Sequence, residues 1–191
     1  MLNRRFLIVN GITCIRLIAF PVLLLLIYLG NLAIFKWLLG VSFFTDAIDG
    51  MLARKLKVAS VFGTQLDSIG DDLTIVAGVL GVWYFKKDFF IEQLPLIGLM
   101  LLLFFFQIGL SFMKYGRITS FHTVLAKIAA VLQGSFMILL FFTASPLYGL
   151  FYLASAVTTL ELFEEIFLVL FLKKWQANIK GLYWVLRNRS Y

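Results

Sequence analysis

Long apolar stretches alternate with short polar segments along nearly the whole chain. Six of these stretches approach the roughly 20 apolar residues that a helix needs to cross the hydrocarbon core of a bilayer. They predict helices over residues 12–29, 32–52, 67–85, 94–113, 124–143 and 147–172. The connections are short, so neighbouring helices are expected to be antiparallel. The pattern predicts an all-α integral membrane protein with six transmembrane helices.

The opening segment, MLNRRFLIVN, mixes basic and apolar residues. This mixture is typical of helices that lie in the membrane interface, so it predicts a short N-terminal interfacial helix. The first apolar stretch is not expected to be a cleaved signal, because it leads into further spans without a small-residue cleavage site. No linker or repeat divides the chain, and a single membrane domain over residues 1–191 is expected.

Composition agrees with this interpretation. The chain is 62% apolar and only 14% charged, with a mean hydropathy of +0.97, whereas soluble domains carry about 25% charged residues. Cys14 is the only cysteine, so an internal disulfide is excluded. The net charge of +7 could suggest a nucleic-acid partner. The positions of the basic residues favour a membrane explanation instead.

The 17 lysine and arginine residues are distributed very unevenly between the two predicted sides of the membrane. One side holds only Lys36, Lys86 and Lys87, and the other holds the remaining 14. Because basic residues accumulate on the cytoplasmic side, both termini and the connection after the second span are predicted to be cytoplasmic. Charge at span ends also suits anionic lipid headgroups, so no nucleic-acid partner is expected.

Five of the ten acidic residues lie in one stretch, FFTDAIDGMLARKLKVASVFGTQLDSIGDDL, at positions 43–73. Helical residues spaced by three, four or seven positions share a face. The second helix ends with such a set: Asp46, Asp49, Gly50 and Ala53. The third begins with another: Gly63, Asp67 and Asp71. If the two helices are antiparallel neighbours, four carboxylates converge near the cytoplasmic surface.

Four carboxylates this close repel one another strongly in a partly dehydrated site, so a cation is expected to bind them. Carboxylate oxygens suit Mg²⁺, Mn²⁺ or Ca²⁺, and no nearby cysteine or histidine suggests zinc. Two such ions would suit phosphoryl transfer, with one carboxylate as the base for an attacking hydroxyl. The simpler alternative is ion pairing with Arg54, Lys55 and Lys57 at a solvated helix end.

The same stretch resembles the signature of the CDP-alcohol phosphatidyltransferases, D-x-x-D-G-x-x-A-R, eight residues, then G-x-x-x-D-x-x-x-D. All eight positions are filled, by Asp46, Asp49, Gly50, Ala53, Arg54, Gly63, Asp67 and Asp71. A family segment of the form N-x-x-T-x-x-R ahead of a proline is matched by Asn10, Thr13, Arg16 and Pro21. The resemblance implies a six-helix bundle, a homodimer and, for this chain, the bacterial inner membrane.

The resemblance also implies a reaction. The hydroxyl of a small polar alcohol attacks the lipid-bearing phosphate of a CDP-linked lipid, usually CDP-diacylglycerol, and CMP leaves. By matched position, one or two Mg²⁺ or Mn²⁺ ions would be held by Asp46, Asp49, Asp67 and Asp71. Asp71 would also be the general base. The CDP-linked lipid would be bound by Asp49, Gly50, Ala53, Arg54, Gly63 and Asp67. Asp72 has no counterpart in the signature.

The acceptor alcohol is expected to be selected by polar residues further along the chain. Candidates are Lys114, Arg117, Lys127 and Glu161. Phosphatidylglycerophosphate synthases carry a pattern like G-K-x-K-T-x-x-Q here, and this chain reads AKIAAVLQ, which keeps Lys127 and Gln133 but not the rest. Although this departure counts against it, glycerol 3-phosphate is the acceptor that we expect first, with inositol phosphate, inositol and serine as alternatives.

Glu161, Glu164 and Glu165 lie inside the last apolar stretch, on one helical face. Acids within a membrane span usually face the protein interior or a wet cavity. They could line the acceptor cavity, or they could make an interhelical or dimer contact. Two other protein classes use intramembrane aspartates. Aromatic prenyltransferases lack the D-G-x-x-A-R run, and cation transporters often show inverted repeats, which are not evident here.

Overall fold

The computed structural model describes residues 17–56, 61–119, 121, 123–176 and 179–187, with the side chains of positions 46–68 left aside. Over these residues the backbone forms α-helices and no β-strand. The helices are α1 (Leu17–Tyr28), α2 (Leu32–Leu56), α3 (Val61–Phe85), α4 (Lys87–Glu92), α5 (Leu94–Tyr115), α6 (Val124–Phe142), α7 (Tyr148–Phe171) and α8 (Leu182–Arg187).

The all-helical prediction is confirmed for the described residues, and a helix occupies each of the six predicted ranges, the first in part. Two helices, α5 and α6, are long and apolar enough to cross a membrane. The helix α7 has the length but carries three glutamates in its second half. The short helix α4 is not predicted by the apolar pattern, and the predicted N-terminal interfacial helix lies outside the described residues.

The chain forms two compact units, Met1–Ile91 and Glu92–Tyr191. The expectation of a single domain over 1–191 stays a prediction. In the first unit, Gly30 makes the turn between α1 and α2 with a φ of 65°, a conformation that glycine adopts without steric cost. The Asn31 side chain then accepts a hydrogen bond of 3.1 Å from the Ile34 amide, which satisfies one free N–H at the start of α2.

The helices α2 and α3 form an antiparallel hairpin. The Phe35 ring, in the first turn of α2, lies 5.2 Å from the ring of Phe85, the last residue of α3. Phe35 is fully buried at this contact. Since the beginning of one helix meets the end of the other, the last turns of α2 and the first turns of α3 lie at the same end of the unit.

The buried face of α3 consists almost entirely of small residues. They recur at helical spacing, at Gly70, Thr74, Ala77, Gly78 and Gly81. Small side chains let helix backbones approach closely, which is a common way to pack helices in membranes. The Thr74 hydroxyl donates a hydrogen bond of 2.8 Å to the Gly70 carbonyl, so its polar group is satisfied within the helix.

In the second unit, α7 packs against both α5 and α6. Leu103 of α5 meets Leu162 and Ile166 of α7 in one apolar cluster. Phe136 of α6 lies 5.1 Å from the ring of Phe151. Both apolar contacts come from the same helix, so α7 is the central element of this unit.

The ends of α5 and α7 are tied together by hydrogen bonds to free carbonyls. The last four carbonyls of a helix have no partner within it. The Lys114 ammonium donates to the carbonyls of Val169 (2.8 Å) and Leu170 (2.9 Å). The Tyr115 hydroxyl donates to those of Val169 (3.1 Å) and Leu172 (2.8 Å). The two helices therefore end side by side.

Candidate functional site

The aspartate signature lies on the α2–α3 hairpin. The helix α2 continues through Arg54 to Leu56, and α3 begins at Val61, two residues before Gly63. The predicted helical spacing is therefore confirmed for the backbone of both halves of the signature. The connection at positions 57–60 and the side chains of 46–68 lie outside the description, so the ligand geometry of three aspartates, Asp46, Asp49 and Asp67, is not part of it.

The antiparallel hairpin brings the two halves of the signature to one end. Asp46 and Asp49 lie in the second half of α2, and Asp67 and Asp71 lie in the first half of α3. Asp71 is half-buried, as is its neighbour Asp72. The backbone thus permits the convergence of carboxylates that the sequence predicts.

The chemistry of this donor set fits a hard divalent cation. The signature supplies only carboxylate oxygens, which Mg²⁺ and Mn²⁺ prefer over softer ligands. Among the described side chains, no group of three or more His, Cys, Asp or Glu residues could hold a metal ion. Most side chains of the α2–α3 signature lie outside that search, and its role as a metal site stays a prediction.

The four residues predicted to bind the acceptor all lie in the second unit. Lys114 is exposed, and its ammonium already donates to the two carbonyls at the end of α7. Arg117 is exposed just beyond the end of α5, and Lys127 is exposed in the first turn of α6. Glu161 is half-buried on α7. Their roles as acceptor ligands stay predictions.

A buried polar cluster includes Thr119, two residues after Arg117, and most of it was not evident from the sequence. Gln107 on α5 donates from Nε2 to Glu165 Oε2 at 2.7 Å and also to the Thr119 hydroxyl. Thr119 Oγ1 lies 3.5 Å from the same carboxylate oxygen. The exposed fractions of Gln107 and Thr119 are 2% and 6%. The detectable signal was a lone glutamine within an otherwise apolar run, LLLFFFQIGL.

Glu164 contacts the segment that follows α7. Its Oε1 accepts a hydrogen bond of 2.9 Å from the Leu182 amide at the start of α8. Its Oε2 is buried without a hydrogen-bond partner among the described residues. The same segment contacts the start of α6, where the Val124 amide donates to the Lys180 carbonyl at 3.1 Å. Glu164 and Glu165 therefore contact other elements of the same unit. For these two residues, this agrees with the interpretation of the acidic face as a contact between helices.

Comparison with known proteins identifies the family. The family model for CDP-alcohol phosphatidyltransferases matches residues 6–174. A CDP-diacylglycerol–glycerol-3-phosphate 3-phosphatidyltransferase of Rickettsia typhi is 32% identical over 130 residues, which cover 65% of this chain and 70% of the relative. Its namesake in Rickettsia prowazekii is also 32% identical over 130 residues, with 65% and 68% covered.

A relative with the same name in Wigglesworthia glossinidia brevipalpis is 32% identical over 89 residues, which cover 45% of this chain and 49% of the relative. No solved structure matches the chain significantly. The match over residues 6–174 includes the whole aspartate signature on α2 and α3. The resemblance seen in the signature is thereby confirmed, and the chain belongs to the CDP-alcohol phosphatidyltransferase family, whose members are transferases.

Proposed function

We propose that this protein transfers a phosphatidyl group from CDP-diacylglycerol to the primary hydroxyl of glycerol 3-phosphate and releases CMP. The observation that carries the proposal is the complete eight-residue signature on the antiparallel α2–α3 hairpin. The printed names of the relatives, CDP-diacylglycerol–glycerol-3-phosphate 3-phosphatidyltransferases, support this lipid donor and this acceptor.

In the proposed reaction, the acceptor hydroxyl oxygen forms a bond to the lipid-bearing phosphorus. The bond between that phosphorus and the oxygen of CMP breaks, and CMP leaves with the bonding electrons. Asp71 takes the proton of the attacking hydroxyl, because a carboxylate beside the nucleophile can act as a general base. No covalent enzyme intermediate is required.

Asp46, Asp49, Asp67 and Asp71 would hold one or two Mg²⁺ or Mn²⁺ ions. When bound, these ions supply charge neutralisation for the phosphate oxygens. The small residues Gly50, Ala53 and Gly63 would line the pocket of the cytidine group. Arg54, at the end of α2, provides a cation for the nucleotide phosphates or the acidic cluster.

We further propose that six helices, α1–α3 and α5–α7, cross the membrane as a bundle in a homodimer. In the sequence, 14 of the 17 lysine and arginine residues fall on one predicted side of the membrane. This asymmetry supports cytoplasmic termini and a cytoplasmic active site. There a water-soluble acceptor can meet a lipid-linked nucleotide. The bacterial relatives support a location in the bacterial inner membrane.

The acceptor phosphate is assigned to Arg117 and Lys127. Both side chains are exposed. Arg117 follows the end of α5, and Lys127 lies in the first turn of α6. A planar guanidinium binds phosphate oxygens in pairs, and an ammonium adds a further donor. Two N–H groups of the Lys114 ammonium already bind carbonyls at the end of α7, so only its third N–H could bind the acceptor. The Glu161 carboxylate could accept a hydrogen bond from a hydroxyl of the acceptor.

The test is an assay of CMP release by the purified protein with CDP-diacylglycerol and Mg²⁺ or Mn²⁺. Glycerol 3-phosphate, inositol phosphate, inositol and serine are compared as acceptors at equal concentration. We expect the highest kcat/KM with glycerol 3-phosphate. A higher value with another acceptor would reassign the substrate and leave the reaction intact. Metal-driven ion flux in vesicles without CMP release would refute the reaction itself.

A further inference from the structure

We propose that a partly buried polar network positions Arg117 for the phosphate of the acceptor, so that residues outside the binding site influence the affinity for the acceptor. The inference rests on the proposed function, which makes Arg117 an acceptor-binding residue. We call this set the loop network, because its members contact residues 117–119 in the loop that follows α5. Its members are Gln107, Ser111, Thr119, Glu165 and Trp175.

The loop network holds three consecutive residues after α5. The Ser111 hydroxyl donates to the Arg117 carbonyl at 2.8 Å. The Trp175 indole N–H donates to the Ile118 carbonyl at 3.2 Å. The hydroxyl of the next residue, Thr119, contacts Gln107 of α5 and Glu165 of α7. Because the three contacts come from α5, α7 and the segment after α7, the loop cannot shift without breaking at least one of them.

The connection at Thr119 is deeply buried. The Gln107 amide has two N–H groups, and it uses them for the Thr119 hydroxyl and the Glu165 carboxylate. Polar groups buried between apolar helices are destabilising unless they are fully hydrogen-bonded, and apolar residues of similar size often pack as well or better. Since packing could be achieved by apolar residues, the network is better explained by the loop geometry that it fixes.

Trp175 connects the loop backbone to the Arg117 side chain. The Arg117 guanidinium carbon lies 5.7 Å from the centre of the Trp175 ring, within the range of a cation–π contact. One side chain thus orients the guanidinium and also anchors the carbonyl of the following residue. An arginine held in this way loses little conformational entropy when it binds an anion. The exposed guanidinium can bind the oxygens of a phosphate monoester.

The test compares two substitutions at Thr119. Thr119→Val keeps the shape of the side chain but removes the hydroxyl, whereas Thr119→Ser keeps the hydroxyl. We expect Thr119→Val to raise the KM for glycerol 3-phosphate about tenfold, because a small displacement of a binding group is enough for such a loss. The KM for CDP-diacylglycerol and kcat should change by less than about twofold. Thr119→Ser should restore the KM for glycerol 3-phosphate.

A double-mutant cycle with Arg117→Ala separates positioning from a general structural effect. If Thr119 acts through Arg117, then Thr119→Val causes no further rise in the acceptor KM when Arg117 is already alanine. If the acceptor KM of the double variant rises by the product of the two single effects, Thr119 does not act through Arg117 and the positioning role is overturned. An Arg117→Ala variant with an unchanged acceptor KM would instead refute the acceptor assignment of the proposed function.

Trp175→Phe provides a second, independent variant if Thr119→Val does not fold. Phenylalanine keeps an aromatic ring but removes the N–H that binds the Ile118 carbonyl. We expect the same selective rise in the acceptor KM, with the melting temperature in detergent close to that of the wild type. An equal loss of affinity for both substrates would contradict the inference.

Discussion

Gln107 on α5 donates a hydrogen bond of 2.7 Å to the carboxylate of Glu165 on α7. The two residues are 58 positions apart in the chain, and each lies within an apolar helix. The bond joins the helices at a point between the Leu103 cluster and the carbonyl contacts of Lys114. A polar connection at this depth limits sliding between α5 and α7, because any slide would leave buried polar groups without partners.

Asp71→Asn should abolish phosphatidyl transfer, since an amide cannot accept the proton of the attacking hydroxyl. We expect kcat to fall by at least about a hundredfold. Binding of CDP-diacylglycerol, measured by equilibrium dialysis in detergent, should change little. Asp72→Asn is the matched control, because Asp72 is outside the signature and should retain turnover. Unchanged turnover of Asp71→Asn would refute the general-base assignment.

Removal of divalent cations should stop CMP release. Carboxylate oxygens are the only donors of the signature, so EDTA should inactivate the enzyme and added Mg²⁺ or Mn²⁺ should restore it. Activity is measured as CMP release before and after chelation. Full activity that persists in EDTA, with no metal detected by elemental analysis, would contradict the proposed role of the aspartates.

Gly181→Ala should destabilise the second unit. Gly181 has a φ of 151°, and an added Cβ would lie 2.8 Å from the Glu164 carboxylate that accepts from Leu182. Backbone strain of this kind costs about 1–3 kcal/mol. The measurement is thermal unfolding in detergent micelles.

Gly149→Ala is the control for this substitution. Gly149 lies in the first turn of α7, where an added Cβ meets nothing within 4 Å. Alanine favours a helix more than glycine does, so stability should be unchanged or higher. Equal melting temperatures for the two variants would show that the contact between Glu164 and the start of α8 contributes little.

Lys114→Met should lower the stability of the protein and leave the KM for the acceptor nearly unchanged. The substitution keeps an unbranched apolar side chain but removes the ammonium that contacts the carbonyls at the end of α7. Loss of a cation at an exposed helix end costs about 1 kcal/mol. We expect a lower melting temperature and a KM for glycerol 3-phosphate within about twofold of wild type. If Lys114→Met raised the KM for glycerol 3-phosphate as much as Arg117→Ala does, Lys114 would belong to the acceptor site.

The helices were predictable because apolar length is a strong local signal. The predicted end of the fourth span lies two residues before Tyr115, and the predicted start of α6 at Val124 agrees with the structure. The helix α4 was missed, because its six residues, KDFFIE, are too short to show a periodic pattern. The predicted second span ends at residue 52, whereas α2 continues to Leu56, because polar residues at a helix end do not break the helix.

The candidate site, like the helices, was predictable from the sequence only in part. The signature that identifies the family is contained in 26 consecutive positions, 46–71, and its helical spacing was visible in the residue order alone. The partners of Glu164 and Glu165 were not visible. The sequence placed both acids on one face, but they contact different elements, the start of α8 and the Gln107 side chain.

The sequence by itself determined the all-helical architecture, the family and the carboxylates proposed for catalysis. These features depend on apolar length and on spacing within one or two helices, which are local properties. Only the tertiary structure decided that Lys114 closes the end of α7 and that Ser111, Trp175 and Thr119 fix the loop of Arg117. Those contacts join residues about 6 to 57 positions apart, and such pairings depend on how the helices pack.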